Sequence, residues 1–159
     1  MGFFNAIDTS ASGLTAQRLR LDLIANNVAN INTTRTAQTT AAGNPIPYQR
    51  QVAVFVPRSA ETSFSTVLNQ AINPAGNGVE VAAISQDSAP FGVEYNPDSP
   101  DAAKVAEPGL PVGYVRTPNV NIVTEMADMI SASRAYEANV TALNASKSMM
   151  SKALEIGRG

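Results

Sequence analysis

Side chains that could carry out chemistry are few in this chain, and their spacing does not suit a catalytic site. Histidine and cysteine are both absent, so the commonest general base and the thiolate metal ligands are missing. Ser148 and Lys152 lie one helical turn apart, but this pattern is that of an ordinary helix surface. The pair Glu125 and Asp128 offers too few oxygen ligands for a hard cation. We therefore assign no catalytic, metal-binding or cofactor-binding residue, and we expect neither an enzyme nor a cofactor.

Composition narrows the class of protein further. The chain has 159 residues, about one domain's worth, and a net charge of -2. It lacks a basic stripe with interleaved aromatic residues, so we expect no binding to nucleic acid. No apolar run approaches about 18 residues, so we expect no insertion into a membrane. Residues 1–8 lack a positive region and an apolar core, and they predict no cleaved signal peptide.

An apolar residue recurs every seven positions towards both ends of the chain. The N-terminal series is Ile7, Leu14, Leu21 and Val28. The C-terminal series is Ile122, Met129, Tyr136, Leu143 and Met150. Such spacing keeps an apolar stripe on one side of a helix and leaves that helix in need of a partner. All 10 prolines lie from Pro45 to Pro118, so both ends are free of this helix breaker.

These patterns predict a mainly α chain with a small β part. We expect an N-terminal helix within residues 1–32 and a C-terminal helix within residues 119–159. The two would pack as an antiparallel, coiled-coil-like pair and form one core domain. Residues 33–118 would form a Pro- and Gly-rich middle segment of linker, strands and loops. Alternating patterns predict strands at residues 48–56, 78–84 and 91–95.

Local signals refine the bounds of the two helices. The first is predicted over residues 4–31. The second is predicted over residues 122–156, because Asn121 suits an N-cap and Gly157 supplies a stop. The segment 61–72 is ambiguous, with a short helix as one reading.

Four asparagines crowd the end of the first helix, namely Asn26, Asn27, Asn30 and Asn32. Asparagine is a poor residue for a helix interior because its amide competes for backbone hydrogen bonds. The cluster is therefore either a local helix stop or a set of amides that contacts a partner. The sequence leaves both readings open.

Several segments resemble the flagellar basal-body rod protein family of bacteria. Residues 12–21 and 24–34, with their Asn-Val-Ala-Asn core, resemble the N-terminal signature that rod, hook and hook-associated subunits share. The Pro-Tyr-Gln-Arg step at 47–50 and the segments 113–126 and 129–140 resemble the proximal rod members of that family.

The resemblance implies a structural subunit of the basal-body rod, the drive shaft that crosses the periplasm, transmits torque and encloses the export channel. It implies polymerisation through the terminal helices and export without a cleaved signal peptide. The implied partners are copies of the chain, other proximal and distal rod subunits, the rod-to-ring adaptor FliE and the flagellar type III export apparatus.

We expect the assembly interface to use the apolar stripes and the Asn-rich helix end. The residues assigned to it are Leu14, Leu21, Ile24, Asn26, Asn27, Val28, Asn30, Ile31, Met126, Met129, Tyr136, Val140, Leu143 and Met150. Two alternatives stay open, namely another flagellar axial subunit of the rod or hook type, and a secreted coiled-coil adaptor that binds one partner helix.

Overall fold

A computed structural model describes residues 3–58 and 78–157 of the chain. Its described elements are α1 (Phe3–Ala29), β1 (Gln51–Pro57), β2 (Val79–Gln86), β3 (Gly92–Tyr95), β4 (Tyr114–Thr117) and α2 (Ile122–Ile156). The two long terminal helices pack against each other, and the strands lie between them in the sequence. The predicted architecture, mainly helical with a small β part, is thereby confirmed.

The helix ends follow local hydrogen bonding. α1 ends at Ala29, two residues before the predicted end, and the chain then turns. α2 has the predicted bounds. Asn121 is its N-cap, because its Oδ1 accepts hydrogen bonds from the backbone N–H of Val123 at 2.9 Å and of Thr124 at 3.3 Å.

The described strands form two small sheets. β1 pairs with β2, and β3 pairs with β4 in antiparallel register, with Tyr95 opposite Tyr114. All three predicted strands are confirmed. β4 was not predicted, because four residues between a glycine and a proline-containing segment give too short a pattern. The short helix considered over 61–72 lies outside the described residues.

Contacts divide the chain into two units. Unit 1 contains Met1–Leu21, Ala53–Ile84 and Ile130–Gly159, and unit 2 contains Asp22–Val52 and Ser85–Met129. In the described part of the chain, neither helix has the length and apolarity that crossing a membrane requires.

The buried side chains described in unit 1 are small. Ser12, Ala16 and Ala132 are buried. A Cβ added at Gly13 would come within 3.1 Å of Asn139 Nδ2, so the two helices approach closely at this level. The larger residues of the seven-residue series that fall in unit 1 are only half-buried or exposed.

Ser12 also connects α1 to β2 within unit 1. Its Oγ donates to Thr9 O at 2.7 Å and accepts from the backbone N–H of Val79 at 3.1 Å. Gly78, just before that strand, has φ +97°, and a Cβ there would collide with Ser12 Oγ. Only glycine meets both demands without strain.

Unit 2 buries larger side chains than unit 1 does. Polar side chains connect its loops by hydrogen bonds. Leu110 and Val115 are buried. Glu107 connects two loops of this unit by hydrogen bonds. Its Oε1 accepts one from the Thr40 hydroxyl and one from Asn44 Nδ2, the latter at 2.9 Å. The loops of this unit therefore have defined partners.

We predict that Gly78→Ala lowers the free energy of unfolding more than Gly43→Ala does. Both glycines have positive φ, but a Cβ at Gly43 meets nothing within 4 Å. We expect a loss of about 1 kcal/mol at Gly43 from backbone strain alone, and about 2–4 kcal/mol at Gly78, where the hydrogen bond of Ser12 is also lost. Urea unfolding of the purified chain measures both values, and equal losses would contradict the close contact.

Candidate functional site

A fully buried carboxylate lies within unit 2. Glu125, in the first turn of α2, has 0% of its surface exposed. Its Oε1 accepts a hydrogen bond from Arg50 Nε at 2.6 Å, and its Oε2 accepts one from Asn27 Nδ2 at 3.1 Å. A buried charge is costly unless it is paired and hydrogen-bonded, and Arg50 and Asn27 supply both kinds of contact to Glu125.

Arg50 pairs with three carboxylates. Besides Glu125, its NH2 donates to Asp128 Oδ2 at 3.1 Å and its NH1 to Asp87 Oδ2 at 3.3 Å. Glu125 and Asp128 are three residues apart on α2 and therefore share one helix face. Burial lowers the pKa of Arg50, but Glu125 and then Asp87 outweigh it and raise that pKa above its ordinary value.

Asn27 completes the hydrogen bonding of the first residue of β1. Its Nδ2 donates to Gln51 O at 2.9 Å, and its Oδ1 accepts from Gln51 N at 2.9 Å, as a neighbouring strand would. The same Oδ1 accepts from the Tyr48 hydroxyl at 2.9 Å. With 1% of its surface exposed, Asn27 thus uses its whole amide inside the subunit.

Tyr48 and Asn119 make further hydrogen bonds in this arrangement. Burial, and then the charge of Glu125, raise the pKa of Tyr48, so its hydroxyl stays a neutral donor. Asn119 Oδ1 accepts from Arg50 N at 2.8 Å, and its Nδ2 donates to Asp87 O at 3.1 Å. We name these residues the Arg50 cluster, which comprises Asn27, Tyr48, Arg50, Asp87, Asn119, Glu125 and Asp128.

The Arg50 cluster holds four elements together rather than presenting a reactive group. It joins the end of α1, the start of β1, the turn after β2 and the first turns of α2. Each carboxylate in it is paired with Arg50. Among the residues that the structure describes, no three acidic, histidine or cysteine side chains are grouped to hold a metal ion.

The structure places the predicted interface residues in three settings. Ile24 and Asn27 are buried. The half-buried residues are Leu14, Leu21, Val28, Asn30, Ile31, Met129, Val140, Leu143 and Met150. The exposed ones are Asn26, Met126 and Tyr136.

The asparagine run at the end of α1 has two roles inside the subunit. Asn30 Nδ2 donates to Asn26 O at 2.9 Å, which is a local helix stop. Asn27 instead reaches β1 and α2, at large sequence separation. Sequence reasoning selected Asn27 but missed Arg50 as a site residue. The signal available was the Pro-Tyr-Gln-Arg step that contains Tyr48 and Arg50.

Two family models match the N-terminal and C-terminal parts of this chain. A family model described as "Flagella basal body rod protein" matches residues 7–35, and one described as "Flagellar basal body rod FlgEFG protein C-terminal" matches residues 112–156. Together they cover α1 from Ile7, the Asn-rich helix end, β4 and α2. The fold and these matches define an axial protein of the flagellar basal-body type.

Relatives that match over nearly the whole chain identify the family within that class. The flagellar basal-body rod protein FlgC of Bacillus subtilis is 45% identical over 99% of this chain and 100% of its own length. That of Borreliella burgdorferi is 47% identical over 100% of both chains, and that of Escherichia coli O157:H7 is 38% identical over 99% and 100%. The chain belongs to the FlgC family of flagellar basal-body rod proteins.

We predict that Arg50→Met lowers the free energy of unfolding by about 3–5 kcal/mol, because it leaves Glu125 buried without its cationic partner. The matched control is Arg35→Met. Arg35 pairs with Asp101 at 2.7 Å, but its side chain is 58% exposed, so we expect a loss below about 1 kcal/mol. Urea unfolding followed by circular dichroism measures both losses.

A second variant separates charge from packing at Arg50. Adding Glu125→Gln to Arg50→Met removes the unpaired charge, so we expect the double variant to be more stable than Arg50→Met alone. Equal stability of these two variants would show that the buried charge is not the cause of the loss.

We predict that Asp87 contributes an acid-sensitive part of the stability. The hydrogen bond from Ala89 N–H, and then Arg50, hold the pKa of Asp87 below its ordinary value of 3.8. A carboxyl whose pKa is lower in the folded state stabilises fully above its unfolded pKa, and this contribution disappears as the pH falls through the lowered value. Asp87→Asn does not titrate, so its stability should fall less steeply with pH below 3.8.

Urea midpoints across an acidic pH series measure this slope. The matched control is Asp98→Asn, which removes an exposed carboxyl outside the Arg50 cluster and shows the acid dependence that remains while Asp87 is intact. If Asp87→Asn also keeps that dependence, Asp87 is not the group responsible.

Proposed function

We propose that this chain is a structural subunit of the flagellar rod, polymerising through its terminal helices into the shaft that crosses the periplasm. The observation that carries the proposal is the similarity over nearly the whole chain to curated flagellar basal-body rod proteins. In this role the chain transmits torque and helps to enclose the export channel.

The burial of the helices supports assembly through them. In the single subunit, α1 and α2 leave most apolar residues of the seven-residue series half-buried or exposed. A water-soluble monomer gains nothing from such exposure, whereas neighbouring subunits would remove this surface from water. Contacts that differ on the two partners and do not close generate a filament.

We propose that the half-buried and exposed members of the predicted interface make these contacts. Leu14, Leu21 and Val28 supply them from α1, and Met126 and Tyr136 from α2. Asn27 takes a different place in the proposal. Its amide is used within unit 2, so it orders the helix end rather than contacting a neighbour.

This role implies partners among the other subunits of the flagellar rod. We propose that the chain assembles with copies of itself and with other proximal and distal rod subunits. The rod-to-ring adaptor FliE and the type III export apparatus are the further partners of this role.

We predict that Leu21→Asp blocks incorporation into the rod while export continues. A charge on the half-buried stripe of α1 cannot be buried against a neighbour at low cost. The matched control is Asp22→Asn, one residue further along and exposed, which should assemble normally. Immunoblots of secreted fractions and of purified basal bodies, together with swimming assays, measure both steps.

Full motility of the Leu21→Asp strain, with the variant present in its basal bodies, would contradict assembly through this stripe. Absence of the unmodified chain from purified basal bodies would overturn the proposed function itself.

A further inference from the structure

The first six residues of β1 have the composition of a strand that pairs with copies of itself. Residues 51–56 have the sequence Gln-Val-Ala-Val-Phe-Val, which is rich in strand-forming residues and contains no charge, proline or glycine. Such segments pair with identical segments of other chains when an edge of the strand is open. The flanking residues oppose this pairing, Arg50 and Arg58 by charge and Pro57 by its missing N–H.

One edge of β1 is already paired with β2. Arg50 O accepts a hydrogen bond from Asp87 N at 2.8 Å, at the end of the ladder between the two strands. Backbone groups of consecutive strand residues point to opposite edges, so Gln51 directs its N–H and C=O away from β2. In the part of the chain that the structure describes, β1 belongs to a sheet of two strands, so it has a second edge.

Asn27 occupies that second edge at Gln51. Its Oδ1 accepts from Gln51 N and its Nδ2 donates to Gln51 O, both at 2.9 Å. These are the two hydrogen bonds that a residue of a neighbouring antiparallel strand would make. Asn27 is buried and belongs to α1, so the end of that helix lies where a further strand would have to begin its pairing with β1.

We propose that Asn27 protects the edge of β1 from pairing with β1 of a second copy. An identical segment fits this edge, because residues 51–56 carry no charge that would keep two copies apart. A second strand in place of the Asn27 amide would restore both hydrogen bonds of Gln51 and would continue along Ala53 and Phe55. The inference goes beyond the proposed function, since it concerns how the subunit avoids fibril formation.

The variant Asn27→Ala of the full-length chain tests the inference, because it removes both hydrogen bonds that Asn27 makes to Gln51. We expect it to form fibrils faster than the unmodified chain by about tenfold or more, since pairing with a second copy satisfies these two groups again. Thioflavin T fluorescence and light scattering measure the rate at neutral pH. Fibre diffraction should then show the spacing of about 4.7 Å between paired strands.

The matched control is Asn44→Ala. Asn44 is as deeply buried as Asn27 and also donates to a backbone carbonyl and a carboxylate, namely Val105 O and Glu107 Oε1, both at 2.9 Å. Its backbone partners lie in a loop, so its loss lowers stability without opening the edge of a strand. The two variants are compared at urea concentrations that give them equal folded fractions, so that a difference in fibril rate does not come from a difference in stability.

A second substitution identifies the segment that pairs. Val54 lies in the middle of residues 51–56 and is 42% exposed, so a lysine at this position can keep its charge in water. Charged side chains on a strand oppose pairing at its edge. Adding Val54→Lys to Asn27→Ala should therefore return the fibril rate to that of the unmodified chain.

Three results would overturn the inference. Equal fibril rates of Asn27→Ala and Asn44→Ala at equal folded fractions would show that lost stability is the only cause. An Asn27→Ala variant that stays soluble would show that the edge of β1 needs no protection. Fibrils that form equally fast with and without Val54→Lys would place the pairing in another segment. The proposed function is tested separately, by the presence of the chain in basal bodies.

Discussion

The need to neutralise one buried carboxylate organises unit 2. Glu125 has no exposed surface, so its carboxylate must be paired and hydrogen-bonded by other side chains of the subunit. Arg50 and Asn27 do so from the start of β1 and the end of α1. Both are then committed elsewhere as well, Arg50 to Asp87 and Asp128, and Asn27 to the backbone of Gln51. Satisfying Glu125 therefore fixes four segments that are far apart in sequence.

Unit 1 differs from unit 2 in the kind of side chain that it buries. The buried residues described in it are small, namely Ser12, Ala16 and Ala132, and its helices approach closely at Gly13 and Asn139. Small side chains let helices approach closely, but they bury little apolar area and so contribute little hydrophobic stabilisation. The larger apolar residues of the same helices stay half-buried or exposed. Among the described residues, unit 2 thus buries both polar and large apolar side chains, whereas unit 1 buries only small ones.

The sequence predicted the elements better than their contacts. Seven-residue spacing and the cap at Asn121 are local signals, and both helices followed from them. The spacing did not show that small residues such as Ala132 are buried while the larger residues of the series are half-buried or exposed. Glu125 matched a favourable charge near a helix start, yet its partner Arg50 lies 75 residues away. No local pattern encodes such a pairing, and only the resemblance around residues 47–50 marked that segment.

Buried polar residues and small residues affect the register of this helix pair in different ways. A contact lined by small side chains tolerates sliding, because one small residue replaces another at similar area. A buried carboxylate does not, since a shift of α2 along α1 would take Glu125 away from Asn27 and leave its charge short of a partner. Buried polar pairs are known to set helix register at some cost in stability. In unit 2, Asn27 and Glu125 meet that description.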